Sequence, residues 1–432
     1  LGEGLLTPSG GQEPFPRSRG QLHCGDFTLE ELAERFGTPL YVYDVRAIEA
    51  RFEAFGEAFR DVDHLVAYSV KANGNLAILN RLARLGSGAD IVSLGELARA
   101  LRAGIPAERI LFAGVGKTET ELRAGLEAGI YAFNVESRGE LERLDRVAGA
   151  LGTVAPFAIR LNPDIDSPTP HEYTRTGHAE SKFGVGPEEA LELYGWAAER
   201  PGLSARGIDV HIGSQILDPL PYFRALTTAL EVLEPVRSMG GSLEFVDIGG
   251  GFGVQYGEEP RMILKDLAEC LLPLVRTSGL RLIVEPGRFL VGEAGVLLTR
   301  VEYVKRSGSK TFVVVDGGMS ELIRPSHYGG YHAIEPVAQH EGRERRVVDV
   351  VGPICESGDF LAREREIALP EPGELLAVRT AGAYGFTMAS NYNARRRPAE
   401  ALVDGAEVHL VRRRETLEDL VRGEEIPWEV QS

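Results

Sequence analysis

The chain has 432 residues, enough for two or three domains and a large core, with the 43% hydrophobic and 26% charged residues of an ordinary globular protein. A formal net charge of −17 argues against nucleic acid or an anionic membrane as partner, although a local basic site can still take an anion. Cys24, Cys270 and Cys355 lie far apart and the nine histidines show no ligand pairing, so neither a disulfide framework nor a metal is expected, and a reducing cytoplasm is.

No stretch reaches the roughly 18 apolar residues of a membrane span. Residues 1–20 are rich in Gly, Pro and Ser and begin at Leu1 rather than a methionine. They read as a mobile leader with a trimmed or altered start. Leu40–Tyr43 is a strand, and Val45–Phe59 a helix.

Short apolar runs then alternate with helical spacing. The strand candidates are Leu65–Val70, Ala89–Val92, Ile110–Ala113, Tyr131–Val135, Phe157–Leu161, Gly207–Ile212, Phe245–Ile248 and Leu282–Glu285. Ser93…Glu96, Thr118…Glu121 and Ser137…Glu140 have capping-box spacing, and Pro187 with Glu188 and Glu189 opens another helix. Eight strand–helix units predict a (β/α)8 TIM barrel, with a doubly wound open sheet as the competitor.

After residue 290 strands follow one another without long helices: Val296–Val304, Thr311–Val315, Arg346–Val351 and Glu374–Arg379. The expected organisation is α/β: a leader over 1–20, a segment over 21–44 that packs with the β domain, the barrel over 45–290, and a C-terminal β-rich domain (sandwich or barrel) over 291–432 that the N-terminal strand joins. Glu415, Glu418, Asp419, Glu424 and Glu425 read as a solvated face.

A barrel of this kind carries its site at the C-terminal strand ends. Lys71 ends the first strand, Asp90 lies in the second, Asn134 and Glu136 close the fourth, and Arg160 and Asn162 the fifth. His211 and Ser214 close the sixth, Gly249-Gly250-Gly251 follow the seventh, and the eighth ends in Glu285-Pro286-Gly287-Arg288.

A lysine there is either a solvated strand end or a partly desolvated amine suited to Schiff-base chemistry. Three glycines after a strand make a tight turn, or leave N–H groups open to a phosphate that Arg288 also attracts. Glu285 is a structural carboxylate or the partner of a pyridine nitrogen. His211 is a satisfied structural group or a cover for one face of an aromatic cofactor. Taken together, lysine, cradle and carboxylate specify pyridoxal 5′-phosphate.

From about Gly37 to Asn393 the chain resembles the barrel-type pyridoxal-phosphate decarboxylases, and within them the diaminopimelate decarboxylase family. Tyr68-Ser-Val-Lys71-Ala-Asn73, His211-Ile-Gly-Ser214-Gln, Asp247-Ile-Gly-Gly-Gly251-Phe and Glu285-Pro-Gly-Arg288 resemble its cofactor motifs in order. Gly352-Pro-Ile-Cys355-Glu356-Ser357-Gly-Asp359 resembles the loop whose cysteine protonates the intermediate and whose glutamate recognises a distal amine. Arg324-Pro325 with Tyr328 resembles the segment for the distal carboxylate. Ala383-Tyr384-Gly385 and Ser390-Asn-Tyr-Asn393 resemble a tyrosine motif touching cofactor and substrate.

The resemblance implies decarboxylation of meso-2,6-diaminopimelate to L-lysine and CO2. Lys71, Cys355 and His211 would be catalytic. Lys71, Asp90, His211, Ser214, Gly250, Gly251, Glu285, Pro286, Gly287, Arg288 and Tyr384 would bind cofactor. Arg288, Arg324, Tyr328, Glu356 and Tyr384 would bind the amino-acid substrate. It also implies a homodimer in which Cys355 and Glu356 come from the neighbouring subunit. The competing readings are an ornithine, arginine or carboxynorspermidine decarboxylase, an alanine racemase, or a non-catalytic homologue.

Overall fold

The computed structural model describes residues 13–165 and 181–428. Within them the chain forms two compact units, one of Val45–Gly292 and one of Pro14–Asp44 with the chain from Glu293 onward.

In the first unit eight parallel strands close into a barrel, and each pairs with its neighbours in sequence. They are β1 (His64–Ser69), β2 (Gly88–Ile91), β3 (Ile110–Phe112), β4 (Ala132–Val135), β5 (Ala155–Leu161), β6 (Leu203–Val210), β7 (Phe245–Asp247) and β8 (Arg281–Val284). The barrel displaces the open-sheet alternative because β8 pairs in parallel with β1, Leu282 opposite His64.

The interior follows the two-residue period of a strand. Leu65, Ala67, Leu111, Ala132, Ala158, Phe245 and Ile283 form an apolar cluster. Gly88 and Gly207 make room in it: a Cβ at Gly207 would lie 2.3 Å from the Phe245 ring, and one at Gly88 3.3 Å from the Leu65 side chain. Two residues further along, the same faces carry Ser69, Asp90, Asn134, Arg160, Asp209, Asp247 and Glu285, all buried. A polar layer therefore sits directly above an apolar floor.

The helices begin where capping residues predict. Ser93, Thr118 and Ser137 accept from the N–H groups of Glu96, Glu121 and Glu140. The reciprocal half of the box differs. Glu121 returns to Thr118, whereas Glu96 and Glu140 reach one residue further back, to the N–H groups of Val92 (2.8 Å) and Glu136 (3.1 Å). Pro187 opens the helix Pro187–Ala198.

In the second unit Leu40–Asp44 is a central strand, antiparallel to Gly295–Ser307 and parallel to Ala399–Asp404. The unit's core joins Phe15, Leu22, Leu29, Leu40, Val42, Val296, Leu298, Leu375 and Ala401. Residues 1–12 of the expected leader lie outside the described residues, but 14–20 are not leader. Phe15 is fully buried, and the Arg17 guanidinium donates to the carbonyls of Gly20, Pro336 and Val337 and to Glu335.

Several strands escape the apolar-alternation reading: Phe360–Ala368, Ala399–Asp404 and Glu407–Arg412, and the short Arg17–Ser18, Gln21–Cys24, Phe27–Thr28 and Ile334–Pro336. The first carries Arg363, Glu364, Arg365 and Glu366 in a row and is bulged against Arg345–Val351, which breaks the period. The acidic stretch near the C-terminus is only partly a solvated face. Glu415 pairs with Arg397, and Asp419 caps the short helix Leu417–Leu420 while pairing with Arg413 and Arg422.

Candidate active site

β1 ends at Ser69, and the chain turns through a 3-10 segment, Val70–Ala72, that carries Lys71 over the barrel mouth. Asp90 fixes that lysine. Its Oδ2 accepts from Lys71 Nζ (2.7 Å) and from Ser69 Oγ (2.7 Å), and its side chain is 0% exposed where Lys71 is 34% exposed. Charge-assisted hydrogen bonds of this length are the strong ones. Ser69 Oγ also lies 3.1 Å from the Glu285 carbonyl, and Ser69 N–H donates to Pro286 O at 3.3 Å. Gly287 permits that approach: a Cβ there would sit 3.0 Å from those of Ser69 and Ala72.

Opposite the lysine, the Gly250 N–H donates to His211 Nδ1 at 3.1 Å, so Nδ1 carries a lone pair. Burial first, then the Arg160 and Lys71 charges, hold His211 well below the usual histidine range, so its imidazole is neutral. The glycine turn is a true cradle. A Cβ at Gly250 would lie 2.2 Å from Glu285 O, and one at Gly251 2.2 Å from Gly213 O, with Gly251 at φ +90°. Beside it, Arg288 donates to Tyr256 Oη (2.5 Å) and to Ser214 Oγ (3.0 Å). Tyr222 Oη donates to Gly250 O at 2.9 Å and steadies the turn from below.

The mouth is rich in acid. Asp90, Asp209, Asp247 and Glu285 face Lys71 and Arg160. Burial, reinforced by Asp247, Asp90 and Asp209, pushes Glu285 well above the carboxylate range; burial and Asp247 do the same to Asp209. Asp247 is raised to about 6, chiefly by burial. Glu285 Oε1 is buried with no hydrogen-bond partner among the described residues. Such an atom, beside an open glycine turn and a guanidinium, fits a phosphorylated ring with a basic nitrogen.

Glu136 ties this rim together, accepting from Gly114 N (3.0 Å), Arg160 Nη1 (3.1 Å) and Gly184 N (3.1 Å). Lys117 does the same one turn lower. Its buried Nζ donates to Gly114 O (2.9 Å), Asn134 O (2.7 Å) and Glu140 Oε1 (2.6 Å), which uses every donor it has.

The remaining predicted residues are in the second unit. Arg324 opens the short helix Arg324–Tyr328 and is 8% exposed; its Nη1 lies 2.6 Å from His332 Nε2, and His332 Nδ1 lies 2.8 Å from Arg379 O. Tyr328 is half-buried at that helix's end. Cys355 and Glu356 are exposed on the loop after the strand Arg345–Val351. Tyr384 is half-buried in a turn with φ +55°, beside Gly385.

The predicted set thus falls into two groups. Lys71, Asp90, His211, Ser214, Gly250, Gly251 and Glu285–Arg288 meet on one barrel rim. Arg324, Tyr328, Cys355, Glu356 and Tyr384 occupy three loops of the other unit. Sequence reading passed over Asp209, Lys117, Tyr222 and Tyr256. Asp209 had a signal in the alternation Gly207, Asp209, which matches the steps in the neighbouring strands. The other three act from helices and loops whose partners are distant in sequence.

A lysine bound to a buried carboxylate, a glycine cradle with an arginine and an unmatched glutamate on a parallel barrel define the class of barrel-type pyridoxal-dependent decarboxylases. The family profile described as pyridoxal-dependent decarboxylase, pyridoxal binding domain, matches residues 45–292. A diaminopimelate decarboxylase of Pseudomonas aeruginosa is 48% identical over 414 residues, 96% of this chain and 99% of that protein. The crystal structure of diaminopimelate decarboxylase from Helicobacter pylori complexed with L-lysine is 43% identical, with a TM-score of 0.88 over 91% of this chain and 98% of that one. The enzyme from M. jannaschii in complex with L-lysine is 37% identical, with a TM-score of 0.91 over 96% and 98%. The chain belongs to the diaminopimelate decarboxylase family.

Proposed function

We propose that the chain removes CO2 from meso-2,6-diaminopimelate to give L-lysine, using pyridoxal 5′-phosphate. The observation that carries this is the Lys71–Asp90 pair at 2.7 Å opposite a buried Glu285 oxygen without a partner among the described residues. In such a site pyridoxal phosphate supplies a sink for the electron pair left at the α-carbon as CO2 departs.

The chain's residues have separable tasks. Lys71 would hold the cofactor through Nζ, and Asp90, bonded to that nitrogen at 2.7 Å, would keep it in position. Backbone N–H groups of Gly250 and Gly251, with Ser214 and Arg288, would take the phosphate, and Pro286 and Gly287 would place Glu285 and Arg288 to hold the same group. Burial and three facing carboxylates disfavour the Glu285 anion and push its carboxyl well above the usual range. Glu285 would face the ring nitrogen and hold the proton shared with it. His211, kept neutral, would cover one ring face without adding charge, and Tyr384 would contact cofactor and substrate.

Cys355 Sγ delivers a proton to the α-carbon. Arg324 and Tyr328 bind the distal carboxylate, and Glu356 the distal ammonium. We further infer a cytoplasmic homodimer in which Cys355 and Glu356 serve the partner's barrel. Support for this comes from their exposure on a single chain and from the three scattered cysteines.

Substrate choice follows from charge. Ornithine or lysine has no distal carboxylate and would leave Arg324 unmatched, a loss that reaches factors of about 10⁴ in sites built for a polar group. CO2 release should therefore be fast from meso-diaminopimelate and slower by orders of magnitude from lysine and ornithine. Comparable turnover of ornithine would sink the assignment.

A further inference from the structure

We propose that Asn393 is the positioning residue for the Cys355 thiol, holding Sγ in place and donating to it as the thiol gives up its proton. This rests on the reading of Cys355 as proton donor and adds a residue to it.

The geometry begins with two loops fastened to one strip of backbone. On the cysteine side, buried Asp359 accepts from Met319 N (2.6 Å) and Ile354 N (2.6 Å). Glycines at 318 and 352 admit that carboxylate: a Cβ at either would lie within 2.5 Å of an Asp359 oxygen. Glu356 N to Ile354 O (2.8 Å) and Asp359 N to Glu356 O (3.0 Å) close the turn around Cys355. Its backbone is fixed while its side chain is exposed.

On the asparagine side, Ser390 N donates to Ser320 O (2.9 Å) and Arg395 Nη2 to Asp316 O (2.7 Å). Asn391 Nδ2 spans the turn to Arg395 O (2.9 Å) and Glu415 Oε2 (2.6 Å). Between these anchors Asn393 and Ala394 both adopt left-handed backbone, φ +55° and +54°. An asparagine tolerates that conformation and an alanine does not favour it, so the surroundings impose the turn. Its result is that Asn393 Nδ2 stands 3.2 Å from Cys355 Sγ. Because both loops are bolted to residues 316–320, the separation of thiol and amide is set by one common piece of chain.

An amide N–H aimed at sulfur favours the anion over the thiol. During proton delivery the S–H bond breaks and its electron pair stays on sulfur, while the electron pair on the α-carbon forms the new C–H bond. The negative charge so placed on Sγ meets the Asn393 donor. Tyr392 serves the next residue in the same way, its hydroxyl donating to Glu356, which with the Glu356 and Cys355 charges raises the phenol. The charged and titratable groups around the loop are Glu356, Asp359, Tyr392 and Arg395, together with Arg363, which donates to Ser357 O at 3.1 Å. The Asn393 amide is the neutral donor among them.

The test is peptide-resolved alkylation of Cys355 against pH in the full chain without substrate, with Cys270 as internal standard. Asn393→Gly removes the amide and keeps the left-handed turn; Asn393→Asp keeps the size and replaces the donor with an acceptor. We expect the alkylation midpoint of Cys355 to move up by about one pH unit in the glycine variant and further in the aspartate variant, a tenfold slower reaction per unit. The holoenzyme's kcat should fall by a similar factor with KM within about twofold. An unmoved midpoint overturns the proposal, even if kcat falls, because the role would then be merely structural. Full activity in Cys355→Ser would remove the reading of Cys355 as donor, and the alkylation shift would still report whether Asn393 acts on the thiol.

Discussion

Gly251→Ala isolates the cradle from the rest of the barrel. The new Cβ would stand 2.2 Å from Gly213 O, 3.1 Å from Gly213 C and 3.2 Å from Tyr222 Oη. Non-bonded atoms are at ease near about 3.5 Å, so the Gly213 carbonyl has to retreat by roughly 1 Å, and Ser214, the acceptor for Arg288, moves with it. Backbone strain adds to this: φ is +90°, and a left-handed residue bearing a Cβ costs about 1–2 kcal/mol. With about 1–3 kcal/mol for overpacking, the variant should lose about 2–5 kcal/mol in urea unfolding. Its affinity for pyridoxal phosphate should fall at least about tenfold. Gly250→Ala meets Glu285 O at 2.2 Å without a left-handed φ, so it should lose only the overpacking share, about 1–3 kcal/mol. Gly149→Ala, inside the helix Arg138–Leu151 with nothing within 4 Å, should instead stabilise by about 0.5–1 kcal/mol. A Gly251→Ala protein with unchanged midpoint and cofactor affinity would refute the cradle.

Two further outcomes follow from the charges and from the proposed assembly. Burial raises Glu96 to about 7, so between about pH 4.3 and 7 the folded chain keeps a proton that the unfolded chain has released, and stability falls as pH rises through that window. Glu96→Gln should therefore match the parent near pH 4 and gain about 1–3 kcal/mol near pH 8 in urea midpoints; an equal difference at both pH values would contradict the burial argument. Mixing inactive Lys71→Ala and Cys355→Ala proteins after dissociation should restore about a quarter of the activity, since half the reassociated dimers then hold one intact site. No recovery would count against a shared site.

Much of the barrel was legible because two periods coincide. The strands alternate and three of the helices between them start at Ser or Thr with an acid three residues on, so local chemistry and topology agree there. The C-terminal half was less so. Its missed strand Phe360–Ala368 alternates charges rather than apolar groups, and its partner register is shifted by a bulge. The site divides the same way. Lys71 and the glycine turn announced themselves at strand ends, whereas Tyr256 reaches Arg288 from 32 residues away and Asn393 reaches Cys355 from 38. No spacing in one dimension encodes those encounters. Phe15 escaped for another reason: a Gly- and Pro-rich context predicts a loose chain, and only the pocket made by Leu22, Leu40 and Val337 explains its burial.

The barrel mouth breaks the rule that buried polar groups are paired, and it does so in one place. Asp90, Asp209 and Glu285 each carry a buried oxygen that accepts from no N–H among the described residues. Below them the floor is apolar; around them Glu136 accepts from Gly114, Arg160 and Gly184, and Lys117 donates to Gly114, Asn134 and Glu140. A fold selected for stability alone would fill this layer with aliphatic groups, which is often neutral or favourable where buried charges are replaced. The acids instead outnumber the cations they face, and burial with mutual repulsion disfavours the anions of Asp209 and Glu285. A binder that brings positive charge to Glu285 and a phosphate to Arg288 relieves both imbalances at once. That is why the unmatched oxygen of Glu285, more than the lysine, marks what the barrel is built to receive.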